Sequence, residues 1–215
     1  MEINESQMWR EVIRLRNRSR VAFSSLQATR TLRSDHGVRA GASIAGAVVI
    51  FFVVLAGSFA GATTISIPNI GTFEAPDGFT SLSQEEIKIQ FPRGHPPTFA
   101  IGNEKRTGTI SYEIRTMSVP ADKLREVKSA VETSMAQSLP GLKWKKTDIV
   151  NVQGRSWLYF EHVTPGRDFD THNIFLWIPL AEKSLFMNFS CPKDDFLKIE
   201  PVFRQSIRSI SLRAP

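Results

Sequence analysis

The sequence predicts an α+β domain, an antiparallel sheet with helices on its faces, set behind a single transmembrane helix. Three observations carry that expectation. Residues 40–62 form an uncharged run rich in Val, Ile, Phe and Ala. Four strand-like segments succeed one another through short turns between 143 and 191. Two amphipathic stretches with helical spacing bracket that series, the arrangement of a meander with helices packed on it.

The apolar run comes first. Between Asp35 and Glu74 the only charge is Arg39. As a helix rising about 1.5 Å per residue, 40–62 reaches about 34 Å, enough to cross a hydrocarbon core of about 30 Å. The tail before it, 1–39, has eight arginines against four acids, net +4, and the next basic residue is Lys88. Basic flanks stay on the cytoplasmic side, so the N-terminus is expected inside the cell and the remainder outside the cytoplasm. That topology suits the inner membrane of a bacterium, with the 71–215 domain in the periplasm. Met8, Trp9, Val12, Ile13 and Leu15 alternate with arginines and read as a short basic helix on the inner leaflet.

Ala60-Gly61-Ala62 fits the small-x-small rule of signal peptidase, so cleavage after Ala62 is the rival to a retained anchor. The sole cysteine, Cys191, is far from this region, which excludes acylation there and any intrachain disulfide. Gly57 and Gly61 have the spacing that lets two helices approach closely, so self-association into a homodimer is an expectation attached to them. The 63–215 portion holds 19 basic and 17 acidic residues. A nearly neutral domain is not a nucleic-acid binder by charge.

Residues 63–70, uncharged and broken by Pro68, read as a linker. Ile87, Ile89 and Phe91 alternate with Glu86, Lys88 and Gln90, a strand closed by Pro92. Arg93–Pro97 is a loop containing His95, and residues 99–101 a short edge strand. Ile110, Tyr112, Ile114 and Thr116 then alternate with Thr109, Ser111, Glu113 and Arg115, a half-buried strand with a polar outer face. Ser118 and Pro120 open a helix striped by Leu124, Val127, Val131 and Met135, and Pro140-Gly141 stops it.

The meander occupies Lys143–Val152, Arg155–Thr164, Thr171–Pro179 and 184–191, with a tight turn at Gln153-Gly154. Runs such as Trp157-Leu-Tyr-Phe160 are apolar on both faces and are expected to be covered on both sides. Phe196, Ile199, Phe203 and Ile207 give the stripe of a last helix, in which Pro201 either kinks the helix or lies in its first turn. Cys191 sits in a strand-like run as a buried small apolar group. Asn188-Phe-Ser190 matches a glycosylation sequon but falls inside a strand.

On these features the chain resembles the PsbP-like α/β/α sandwich family, which includes bacterial DcrB-like domains of unknown function. The resemblance runs from 71 to 212. It rests on the early strand ending in Phe91-Pro92, the Pro120-led helix ending at Leu139-Pro140-Gly141, the Val152-Gln-Gly-Arg-Ser-Trp157 turn with its meander, and the helix running into Ile207-Arg-Ser-Ile-Ser-Leu212. It implies an assembly, chaperone-like or accessory binding module.

Catalytic motifs are missing: there is no GxSxG, HExxH, CxxC, P-loop or GxGxxG. One constellation bears chemistry. A hairpin centred on Arg167 sets His162 opposite His172 on one face, near Glu161, Asp168 and Asp170, a candidate two-histidine metal site. A register slip of one residue separates the pair. Lys143, Lys145 and Lys146 around Trp144 make a basic strand that resists edge aggregation or docks an acidic partner or lipid headgroup. Strict alternation puts Lys143 with Lys145 on one face and Trp144 with Lys146 on the other.

The expected function is therefore a membrane-anchored, extracytoplasmic, non-enzymatic binding or assembly-accessory domain, using no cofactor and meeting the lipid bilayer through 40–62 and an envelope protein through its folded part. The alternatives are a metal-binding protein or metal-dependent hydrolase using His162 and His172, and a self-associating envelope scaffold using Gly57 and Gly61.

Overall fold

The computed structural model describes residues 63–91, 96–117, 119–166 and 168–213. The basic tail, the 40–62 segment with Gly57 and Gly61, the cleavage position, and His95 lie outside the described residues.

Among the described residues, two antiparallel sheets and three α-helices make up the fold. Strands β1 (Thr63–Ile67), β2 (Gly71–Ala75) and β10 (Ser211–Leu212) form a small sheet in the order β1-β2-β10. The large sheet contains β3 (Thr80–Ser81), β4 (Phe99–Gly102), β5 (Thr109–Arg115), β6 (Lys143–Val152), β7 (Arg155–Thr164), β8 (Thr171–Pro179) and β9 (Ser184–Pro192), in the order β3-β4-β5-β9-β8-β7-β6. The helices are α1 (Gln84–Gln90), α2 (Leu124–Ser138) and α3 (Phe196–Arg208).

The large sheet is the middle layer. Leu158, Phe160, Trp177 and Phe186 point to one face and pack against Leu124, Val127 and Val131 of α2. Trp157, Ile174, Leu176, Met187 and Phe189 point to the other face. They meet Phe196, Phe203 and Ile207 of α3 and Ile67 and Phe73 of the small sheet. Both faces are covered, which is why the central strands carry apolar residues without alternation. Cys191 is fully buried on the α3 side, and burial pushes its thiol up to about 12, with Asp195 adding to the shift, so it is an inert core group.

The meander strands and α2 match the expectation closely. Gln153 and Gly154 both take positive φ, 50° and 77°, and make the two-residue turn between β6 and β7. Pro201 lies inside α3, preceded by a 3-10 turn at Lys193–Asp195. Its missing N–H deprives the Leu197 carbonyl of its helical donor, at a residue that is 82% exposed.

Four expectations are corrected. Residues 63–70 are not a linker: β1 pairs with β2 from Thr63↔Ala75 to Ile67↔Gly71, and Asn69 at φ 60° turns the chain between them. Beside that turn Gly71 has no room for a side chain, since a Cβ there would lie 2.1 Å from the Ser211 carbonyl oxygen. Residues 86–91 are not a strand. The Ser83 Oγ accepts from the Glu86 N–H at 3.2 Å and the Glu86 carboxylate accepts from the Ser83 N–H at 2.7 Å, a capping box that starts α1. Ile87 then packs on Leu82 and Ala100 while Ile89 is 53% exposed, which a two-residue period does not allow. Thr109 and Ser111 of β5 are buried rather than solvated, because they lie on the face that carries α1 and α2. In β6 a bulge between Trp144 and Lys146 breaks the alternation. Lys146 pairs with Glu161 and Lys143 with Val163, so these two lysines share a face and Trp144 takes the other.

Replacing Ser83 with alanine removes one half of the capping box and is expected to cost about 1 kcal/mol. Thermal unfolding should move down by a few degrees, with amide exchange quickening in α1 before the rest. Unchanged exchange in α1 counts against the cap.

Candidate functional site: a buried ionic network beneath α3

The register of β7 and β8 decides the fate of the two histidines. His162 pairs with Asn173 and His172 with Val163, so the hairpin is centred half a residue beyond Arg167. Successive side chains alternate across a sheet, and the slip sends His162 to the α2 face and His172 to the α3 face. The expected two-imidazole metal site is therefore not formed. Among the described residues there is no group of three or more His, Cys, Asp or Glu side chains that could hold a metal ion.

Each histidine has its own surroundings. His162 is buried with its ring edge-on to Trp144, centroids 5.6 Å apart. Burial, with the neighbouring His172 adding to the effect, lowers its pKa to about 4, so it is a neutral imidazole at physiological pH. Among the described residues its Nδ1 has no hydrogen-bond partner.

His172 belongs to a network that joins the sheet to α3. Its Nε2 lies 2.9 Å from Glu161 Oε1, and since a carboxylate only accepts, Nε2 carries the hydrogen. The His172 ring stacks flat on Phe196 at the start of α3. Glu161 Oε2 accepts from the Tyr159 hydroxyl and from Arg204 Nη2, the latter at 2.8 Å. Arg204 also donates through Nη1 to the Tyr159 oxygen. Its Nε and Nη2 reach Glu200 Oε1, one turn back on α3, at 3.2 and 3.0 Å. The guanidinium lies 5.6 Å from the Tyr159 ring centre and Lys146 Nζ 5.7 Å from it.

Burial alone would raise the pKa of Glu161, but hydrogen bonds from His172, Tyr159 and Arg204 outweigh it and hold the carboxyl at about 2. Tyr159 moves the other way: burial and the bond to Glu161 push its phenol above the ordinary range. At neutral pH the network is one carboxylate receiving three donors, with Arg204 shared by two glutamates. Such a carboxylate is a weak base, far from the operating pH that general base catalysis favours. The arrangement fixes α3 on the sheet.

Two members, His172 and Glu161, stand out in the sequence as polar groups in the hairpin. Tyr159 and Arg204 do not. The available signal was Glu161 as a carboxylate in the otherwise uncharged series Trp157, Tyr159, Glu161, Val163, which requires a cationic partner from elsewhere in the chain.

With this geometry the chain has a PsbP-like fold. The cyanobacterial PsbP of Synechocystis sp. PCC 6803 superposes with a TM-score of 0.51 at 14% identity, covering 73% of this chain and 96% of that one. LpqN of Mycobacterium tuberculosis, described as involved in cell envelope biogenesis, gives 0.49 at 12% identity over 71% and 90% of the two chains. The Ran-binding protein Mog1p of Saccharomyces cerevisiae gives 0.46 at 10% identity over 70% and 95%. At these identities the likeness is one of fold. No protein-family model matches the sequence. No curated protein matches it either.

Proposed function

We propose that the chain is a membrane-anchored domain, held outside the cytoplasm at the bacterial inner membrane, that binds or assists another envelope component and catalyses no reaction of its own. The observation that supports this most directly is the disposition of its titratable groups. Glu161, Tyr159, His172 and Arg204 spend their hydrogen-bonding capacity on one another, and the carboxylate is held at about 2. The 40–62 segment supplies the anchor and the arginine-rich 1–39 tail its orientation.

The fold adds a mechanical consequence. β1 begins at Thr63, directly after the apolar segment, and is hydrogen-bonded to β2 along its length. In this reading a span retained to Ala62 is followed directly by β1, which holds the small sheet close to the headgroups.

Crosslinking of the full chain in intact membranes tests the reading. A defined envelope protein captured at near-equal amounts is the expected result. Capture of the chain by itself alone transfers the role to a self-associating scaffold using Gly57 and Gly61. The intact mass of the membrane-bound form separates an anchor retained from Met1 from a mature chain beginning at Thr63; the anchored reading requires the former.

A further inference from the structure

We propose that the outer edge of β6 is the docking site, and that its occupant is an extended segment of a partner protein, acidic at both ends and β-branched between, which adds to the large sheet alongside β6. The inference rests on the binding role proposed above and names the partner's chemistry. Four features support it.

Among the described residues β6 ends the seven-stranded sheet and is ten residues long, whereas the opposite edge, β3, has two. The direction of its free backbone groups follows from the turn. Gln153-Gly154 is a two-residue connection with both φ positive, so Val152 and Arg155 form a hydrogen-bonded pair. In an antiparallel ladder such pairs alternate with pairs that exchange no bonds. Asn151, Ile149 and Thr147 therefore direct their N–H and C=O groups away from β7. The Ile149 N–H fits this, being bonded at 2.8 Å by the Asp148 side chain beside it.

Charge is distributed along the same edge. Lys143, Lys145 and Lys146 are exposed at one end, and the bulge at Trp144/Lys146 turns them onto more than one side of the strand. Among the described residues Lys143 and Lys145 make no ion pair; Lys146 has only the exposed Asp148 at 3.7 Å. The other end is basic as well. Arg155 donates to the Arg213 carbonyl and Gln153 to the Arg208 carbonyl, which brings Arg155, Arg208 and Arg213 beside the β6–β7 turn. Between the two basic ends Ile149, Val150 and Val152 are half-buried and carry no charge.

Lysines guarding an edge against aggregation belong along its apolar length. Here the stretch Ile149–Val152 carries no lysine, its one adjoining charge is Asp148, and the basic residues flank it, the pattern of strand addition, in which backbone bonds give affinity and side chains give choice.

The test uses the full chain in nanodiscs of neutral lipid and a synthetic peptide with two glutamates at either end of an alternating Thr-Val centre; a lysine-ended peptide is the control. At a peptide concentration ten times its Kd, amide exchange at Thr147 and Asn151 should slow about tenfold. Joint replacement of Lys143, Lys145 and Lys146 by glutamate should abolish the slowing at both amides, and Asn151→Pro alone should abolish it at Thr147. No slowing at these two amides overturns the proposal, and so does equal slowing by the lysine-ended peptide. Slowing produced by anionic lipid in the nanodisc without peptide overturns it in favour of a bilayer contact. A partner crosslinked in membranes whose binding leaves these amides unchanged preserves the accessory role and removes this site.

Discussion

Replacing Glu161 with alanine should lower the unfolding free energy by about 3–5 kcal/mol, the cost of breaking a buried ion pair from one side. The residue's side chain is 9% exposed and receives donors from three others. Its removal leaves the His172 Nε2–H and the Tyr159 hydroxyl facing an empty volume in a layer that water does not reach freely. Arg204 keeps Glu200, so the loss should fall toward the lower end of that range. Tyr159→Phe, which removes one donor and leaves the charges paired, should cost only about 1 kcal/mol.

The same carboxylate sets an acid limit. Its pKa is about 2 in the folded chain against an ordinary 4.5. The unfolded chain therefore takes up a proton first as pH falls. The stabilisation from ionised Glu161 is complete above about pH 4.5 and is lost as pH drops toward about 2. Urea unfolding of the wild-type chain and of Glu161→Gln at several pH values between these limits measures the difference. The wild type should lose stability more steeply across that window. Parallel acid slopes for the two proteins would sink the assignment.

Much of the fold is legible in the sequence because its central part is local. The four meander strands announce themselves through apolar runs separated by short polar turns, two of them with Gly, and α2 through a stripe bounded by Pro120 and Gly141. Where reading fails, a short-range signal competes with another of similar length. Glu86 to Phe91 alternates as a strand does, yet one serine four residues before Ile87 converts it to helix by giving its first turn a capped end. Thr63 to Ile67 looks like an uncharged connector because a small edge strand needs no charge; its partner is β2, whose other edge is held by β10, two residues far along the chain.

The site is less legible for a different reason. A six-residue loop joins β7 to β8, and its length leaves the register open by one step. That step moves an imidazole from one face of the sheet to the other, separating His162 from His172. Arg204 lies 43 positions from Glu161 and meets it only because α3 crosses the sheet at that point. Neither local propensity nor periodicity carries such a pairing.

Truncating Phe203 to alanine is the second large effect expected, about 3–5 kcal/mol for a fully buried aromatic side chain. Phe203 has no exposed surface and meets two rings edge-on, Phe189 of β9 at 5.6 Å and Phe79 after β2 at 6.3 Å. It is thus the side chain through which α3 touches both the large sheet and the β2–β3 connection. Leu197→Ala, on the exposed side of the same helix, should change stability by less than about 0.5 kcal/mol, which separates burial from helix propensity. The spread of the damage is also specified. Ser206 Oγ donates to the Glu74 carbonyl at 2.6 Å and Ser209 Oγ accepts from the Glu74 N–H at 2.8 Å, so α3 and β2 are bonded to each other directly. When Phe203 no longer holds the helix down, α3 and the small sheet should open together, with exchange quickening in β1, β2 and α3 before it does in α2. Early exchange in α2 would show that the two faces of the large sheet are not independent. If the chain is tethered through 40–62, that tether enters at β1 and passes through β2 into α3. The contacts of Phe203 and Arg204 then reinforce the direct packing of Ile67 and Phe73 on the large sheet, so their loss should loosen the small sheet against the large one before the large sheet itself unfolds.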